Sequence, residues 1–226
     1  MKSKVKALAV DIDGTLTDEN RILHCQAVEM LRKVKIPIIL ATGNSTCFAK
    51  AAAKLIGVTD IIICENGGVV RIKYDQPEIV LGNKNLCIKA AKFLERFFKI
   101  IYLDLEDRKS EVCIKRNFPI EKAKELLNKE FRGKVKILDS KFAYHIVDSG
   151  VSKGKALEFI ANIINVPMNN IAAIGDSEND IDMLKKSGIG LAVANADIKL
   201  KEVADIILTK NNGEGVIEAL KLLNLV

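Results

Sequence analysis

The feature that most constrains this chain is a set of short apolar runs that stop abruptly at polar clusters. Residues 5–10 run straight into Asp11-Ile12-Asp13-Gly14-Thr15. Residues 36–40 lead into Ala41-Thr42-Gly43-Asn44, and residues 171–174 into Gly175-Asp176-Ser177-Glu178-Asn179-Asp180. A short apolar run bounded by charge reads as a strand buried on both faces, as in a parallel sheet. Helical spacing fills the gaps between these runs. Val28, Leu31 and Val34 share one face over 26–35, closed by Pro37. An alanine-rich stretch over 45–56 stops near Gly57, and Ser152 caps a helix over 152–165. Two more strands are expected at 188–193 and 204–208, and a helix at 215–223. The alternation predicts an α/β fold with a Rossmann-like parallel sheet.

A third strand at 61–64 is followed by Glu65-Asn66-Gly67-Gly68, a strong turn signal, and a short strand at 69–72. From residue 83 the rhythm changes. A helix at 86–98, strands at 100–105 and 111–116, a helix opened by Pro119, and strands at 134–138 and 143–147 give the order α-β-β-α-β-β. Consecutive strands with short turns favour antiparallel pairing. The expectation is therefore a core of residues 1–82 and 150–226 with an inserted α+β domain at 83–149, hinged near Gly82–Asn83 and Ser149–Gly150. Leu86, Ala90, Phe93, Leu94 and Phe97 form a stripe that reads as packing against the inserted sheet.

Composition narrows the function. At 226 residues with 49% apolar and 28% charged side chains, the chain can fill a core, so wholesale disorder is excluded. The formal charge of +6 is spread along the chain. Without a basic run interleaved with aromatics, nucleic acid is not an expected partner. No stretch approaches the ~18 apolar residues of a membrane span. The first residues lack the pattern of a secretory leader. Five scattered cysteines without a CxxC suit reduced thiols in a cytoplasmic protein. A monomer or homodimer is expected.

In parallel α/β sheets, ligands bind at the carboxyl ends of the strands. The three polar signatures should therefore converge. Asp11 and Asp176, with Asp180 nearby, would then repel one another unless a hard cation joins them, and Mg²⁺ is the usual choice beside phosphate. Any one of these aspartates alone is more ordinarily a loop residue or a helix cap. On a continuing strand, Asp11 and Asp13 would face the same side. One could attack phosphorus while the other moves protons. Thr42 offers a hydroxyl, and Gly43 and Asn44 offer N–H groups at a helix start, where anions are favoured. Lys153 could balance the charge of a phosphoryl transition state. Lys115 and Arg116 on an inserted strand could meet a substrate carboxylate, although such side chains are commonly solvated.

The order Asp-x-Asp-Gly-Thr, Thr-Gly, Lys, Gly-Asp-x-x-Asn-Asp resembles the haloacid dehalogenase superfamily of phosphohydrolases over nearly the whole chain. An insert between Thr42 and Lys153 resembles the subgroup with a C2-type cap. The cap's element order, the chain length and the 65–68 turn are most similar to archaeal-type phosphoglycolate phosphatases. The resemblance implies a magnesium-dependent phosphomonoesterase with Asp11 as nucleophile and magnesium ligand. Asp13 would be general acid/base and bind the metal through its carbonyl. Thr42 and Lys153, beside Gly43 and Asn44, would hold the phosphoryl group. Asp176 would be a metal ligand, Asp180 a ligand or supporting partner, and Asn179 a contact to phosphate or a guide for Lys153. His145 on the last cap strand is either a substrate contact or a structural histidine. A small phosphate ester, 2-phosphoglycolate in the first place, is the expected substrate. A sugar-phosphate phosphatase and a phosphomutase remain rivals of the same chemistry. A response-regulator-like phospho-acceptor is a rival of a different class.

Overall fold

A computed structural model describes residues 5–140 and 142–226. The leader-peptide reading of residues 1–4 therefore falls outside the described residues. Strand β1 (Ala7–Asp11) is wholly buried. Helix α1 (Cys25–Leu31) follows, capped by the His24 ring accepting from the Ala27 N–H. It stops several residues short of the expected end and leaves Pro37 ahead of β2 (Ile38–Ala41). Helix α2 (Thr46–Ile56) ends on left-handed Gly57, as its sequence predicts. Strand β3 (Ile62–Cys64) pairs parallel with β2.

At the turn the structure departs from a wholly parallel sheet. Glu65, Asn66 and Gly67 take φ values of 51°, 55° and 94°, three left-handed residues in a row. They reverse the chain, so β4 (Val69–Arg71) runs antiparallel to β3 and is joined by the unforeseen edge strand β5 (Ile79–Val80).

The cap follows with α3 (Lys84–Leu94), β6 (Tyr102–Leu103), β7 (Val112–Ile114), α4 (Ile120–Phe131), β8 (Val135–Asp139) and β9 (Tyr144–Asp148). Its four strands form an antiparallel sheet ordered β6-β7-β9-β8 with its own apolar core, in which Ala90 and Leu94 of the helical stripe are fully buried. The fold is α/β with an inserted α+β cap. The core resumes with α5 (Lys153–Ile163), β10 (Ile171–Gly175), α6 (Ile181–Lys186), β11 (Ile189–Ala192), the short helix α7 (Ile198–Lys201), β12 (Ile206–Ile207) and α8 (Asn212–Leu222).

The large sheet is ordered β12-β11-β10-β1-β2-β3-β4-β5. Strand β1 lies between β2 and β10, where the order of connection reverses, the place where a ligand crevice opens in such sheets. Register then fixes the neighbours. Asp11 lies opposite Ala41, and Val10 opposite Ile174, so Asp11, Thr42 and Asp176 leave the sheet side by side.

Candidate active site

Each carboxylate at this edge is positioned by local backbone. Strand β1 ends at Asp11, and the N–H groups of Thr15, Leu16 and Thr17 all turn back to the Ile12 carbonyl. Asp13 is thus on a tight turn, not on a continuing strand. Gly14 has φ +86°, and a Cβ there would come within 2.4 Å of Asp176 Oδ2. Only glycine lets the turn approach that carboxylate. The Gly14 carbonyl accepts from the side chains of Asn195 and Asn212, at 2.9 and 2.7 Å, two supports that the motif search missed.

The convergence expected from the strand ends is present. Oxygen atoms of Asp11, Asp176 and Asp180 lie within 4.8 Å of one another, all three residues being buried. Lys153, at the first turn of α5, donates to Asp11 Oδ1 and to Asp180 Oδ1, each at 2.6 Å. Burial opposes the lysine charge, but the two carboxylates outweigh it and push its pKa upward. Burial first, then the charge of Asp180, raises Asp11 well above the usual carboxylate range, against the pull of Lys153. One ammonium among the carboxylates of Asp11, Asp13, Asp176 and Asp180 leaves an excess of negative charge.

That excess is what a divalent cation would relieve, and the donor set fits it. Asp11 Oδ2 is buried without a hydrogen-bond partner among the described residues, beside the carboxylates of Asp176 and Asp180. Hard oxygen donors of this kind suit Mg²⁺. Asp180 stands differently. Its Oδ1 takes Lys153, and its Oδ2 takes the N–H groups of Asp176 and Ser177. Both oxygens thus already accept hydrogen bonds, within the same three-carboxylate group.

Thr42 is fully buried, and its hydroxyl donates to Asp13 Oδ2 at 2.9 Å. Asn44 Nδ2 donates to the same oxygen at 2.8 Å, and the Asn44 N–H donates to the Thr42 hydroxyl. Two donors bond Oδ2 of Asp13, and its Oδ1 is buried without a hydrogen-bond partner among the described residues. Gly43 and Asn44 line the cavity just ahead of α2. Asn179 does not bond Lys153. It donates to Asn66 and accepts from the Ser177 hydroxyl, with its side chain at the cavity wall.

Above the carboxylates, core and cap enclose a cavity of about 770 Å³. Two cap side chains in its lining form a buried cluster with Glu111. His145 Nδ1 lies 2.8 Å from Glu111 Oε1, and its Nε2 lies 3.0 Å from the Ser140 hydroxyl. Arg108 donates from Nη1 to the same glutamate oxygen and, at 3.0 Å, to the carbonyl of Gly43 in the core. Burial would raise the pKa of Glu111, but His145, Arg108 and the Asn66 amide hold it below its ordinary value. Cys113 also lines the cavity, but burial pushes its thiol up to about 11, so it is no thiolate nucleophile near neutrality. Arg116 does not line the cavity; it pairs with Asp139 at 2.8 Å on the cap surface. Among the described residues no helix is long and apolar enough to cross a membrane.

Comparison with known proteins bears on the same residues. A family model described as haloacid dehalogenase-like hydrolase matches residues 8–104 and 83–220. A phosphoglycolate phosphatase of Archaeoglobus fulgidus is 60% identical over 222 residues, 98% of each chain. One from Methanosarcina acetivorans is 43% identical over 97% of each. A crystal structure of a Thermoplasma acidophilum protein superposes with a TM-score of 0.89 at 22% identity, covering 99% of this chain and 100% of the other.

Proposed function

The chain belongs to the haloacid dehalogenase-like hydrolase family and is a phosphoric monoester hydrolase, and we propose that it hydrolyses 2-phosphoglycolate to glycolate and phosphate through a phosphorylated Asp11. The observation that carries the substrate is the 60% identity to a phosphoglycolate phosphatase across 98% of both chains. The observation that supports the chemistry is a pair of atoms without a partner among the described residues, Asp11 Oδ2 and Asp13 Oδ1, in two side chains that line the cavity.

Asp11 attacks phosphorus through Oδ2 while Lys153 fixes its Oδ1. A carboxylate nucleophile splits one hard displacement into two easier ones. Asp13, steadied through Oδ2 by Thr42 and Asn44, gives the proton on Oδ1 to the departing alkoxide. It then takes a proton from the water that hydrolyses the acyl phosphate. Gly43 brings its backbone N–H to the phosphoryl oxygens ahead of α2, while the Asn44 N–H stays with the Thr42 hydroxyl. Asp11, Asp176 and the carbonyl of Asp13 would hold Mg²⁺, with Asp180 behind them in the wall. When bound, the ion supplies positive charge to phosphoryl oxygens and offsets the clustered carboxylates. The cap excludes bulk water and selects the leaving group.

The test is phosphate release from a panel of small esters, 2-phosphoglycolate and sugar phosphates among them, with magnesium present and after chelation. The expected result is turnover greatest on 2-phosphoglycolate and lost on chelation. Preference for a sugar phosphate, transfer to a second hydroxyl without free phosphate, or a single stoichiometric labelling would each overturn the reading in favour of a sugar phosphatase, a phosphomutase or a phospho-acceptor.

A further inference from the structure

Arg108 sits in the loop between β6 and β7, is 3% exposed, and shares the cavity lining with Asp11 and Asp13. Its two hydrogen bonds, to the Gly43 carbonyl and to Glu111, both leave from Nη1. Its Nε is buried and has no partner among the described residues. A buried donor left unbonded costs free energy, so an arginine held this way is short of an acceptor. Glu111 does not fill that need, because its charge is shared among Arg108, His145 and Asn66.

The geometry points to Arg108 as the residue that reads a carboxylate on the leaving group, which makes small carboxylated phosphate esters the substrate class. The inference rests on the phosphatase reading above. A guanidinium presents its donors as a planar fork that matches a carboxylate. The fork is anchored on Gly43, the residue after Thr42, whose hydroxyl holds Asp13. An ester held at phosphorus by the strand ends and at its carboxylate by Arg108 must therefore be short. The other cations fit less well. Arg116 is already paired with Asp139 outside the cavity. Arg21 is exposed and lies with its guanidinium 4.0 Å from the centre of the Phe142 ring.

The experiment compares kcat/KM for 2-phosphoglycolate with that for ethyl phosphate, which has the same chain length and no carboxylate. It does so in the parent, Arg108→Gln, Arg108→Lys and Arg21→Gln. The ratio should fall about 100-fold in Arg108→Gln, the loss expected for a charged hydrogen-bonded pair. It should fall less in Arg108→Lys, which keeps the charge without the fork, and hold within about 3-fold in Arg21→Gln. If Arg108 only latches cap to core, both esters decline together and the ratio stays put, which would overturn the assignment. A fall confined to Arg21→Gln would overturn it too. Arg108→Lys carries the same test should the glutamine variant not fold. A parent that takes both esters equally well removes the role of Arg108 and leaves the phosphatase chemistry standing. A parent that releases phosphate from neither removes both.

Discussion

Lys153 holds two buried carboxylates at once, and what happens without it follows from that. It is 1% exposed, and its partners Asp11 and Asp180 are 3% and 0% exposed. Replacing one member of a buried ion pair strands the others in a medium that solvates them poorly. Lys153→Met should therefore lose activity and also destabilise the fold by roughly 3–5 kcal/mol. Urea unfolding in metal-free buffer would read this, and a loss below about 1 kcal/mol would show that the cluster tolerates its excess charge. Asp11 and Asp13 stood out in the sequence because they follow directly on a buried apolar run. The hydrogen bonds that orient their neighbours did not. Thr42 was expected at the phosphoryl group; the sequence did not announce that its hydroxyl donates to Asp13. Asp180 was expected as a metal ligand or a supporting partner; it lies in the three-carboxylate group, and its oxygens also accept from Lys153 and two backbone N–H groups. Hydrogen-bond direction depends on distances that spacing along the chain does not carry.

At the scale of elements, the contact between cap and core is built from charged residues that are unremarkable in the sequence. The carboxylate of Glu65, on the three-residue turn after β3, accepts the N–H groups of Lys109 and Ser110 and the Ser110 hydroxyl. Glu78, just before β5, bonds Lys50 of α2 at 2.9 Å and Lys109 of the cap loop at 3.0 Å. These two lysines hold its carboxyl down to about 2, from an ordinary 4.5. A lowered carboxyl pKa stabilises the folded state above the ordinary value, and that contribution is lost as pH falls towards the lowered one. Both lysines are half exposed, so water and salt limit the effect to about 1 kcal/mol or less. Glu78→Gln should be less stable than the parent near neutrality, and thermal melts should converge as the pH drops from 4.5 towards 2. A gap that persists unchanged in acid would contradict this.

The buried runs of β1, β2, β3 and β10 were legible because each is apolar on both faces. The antiparallel turn into β4 and β5 was hidden, since it depends on left-handed Glu65 and Asn66, and few residues other than glycine announce that conformation. The Glu65, Arg108 and Glu111 contacts were hidden for another reason. Glu65 meets Ser110 across 45 positions, and in a linear reading each member looks like a solvated charge.

For the molecule as a whole, two sheets with separate cores meet over one cavity, and the buried carboxylates gather at the edge where β1, β2 and β10 end. The cap contributes Arg108 and His145 from above; the core contributes Asp11, Asp13 and Lys153 from below. The proposed function gives bond-making to the core and choice of leaving group to the cap. It requires that phosphorus pass through the protein itself, on the side chain at the end of β1. An aryl phosphate whose leaving group needs no proton separates the two steps, because Asp13 is then dispensable for the first and still required for the second. The decisive measurement is therefore rapid acid quenching of Asp13→Asn with p-nitrophenyl phosphate, followed by mapping of the protein-bound phosphoryl group by mass spectrometry. The account predicts a burst of nitrophenol stoichiometric with enzyme and a phosphoryl group on the peptide bearing Asp11. Phosphate released with no phosphorylated protein, or a phosphoryl group on any other side chain, would contradict it.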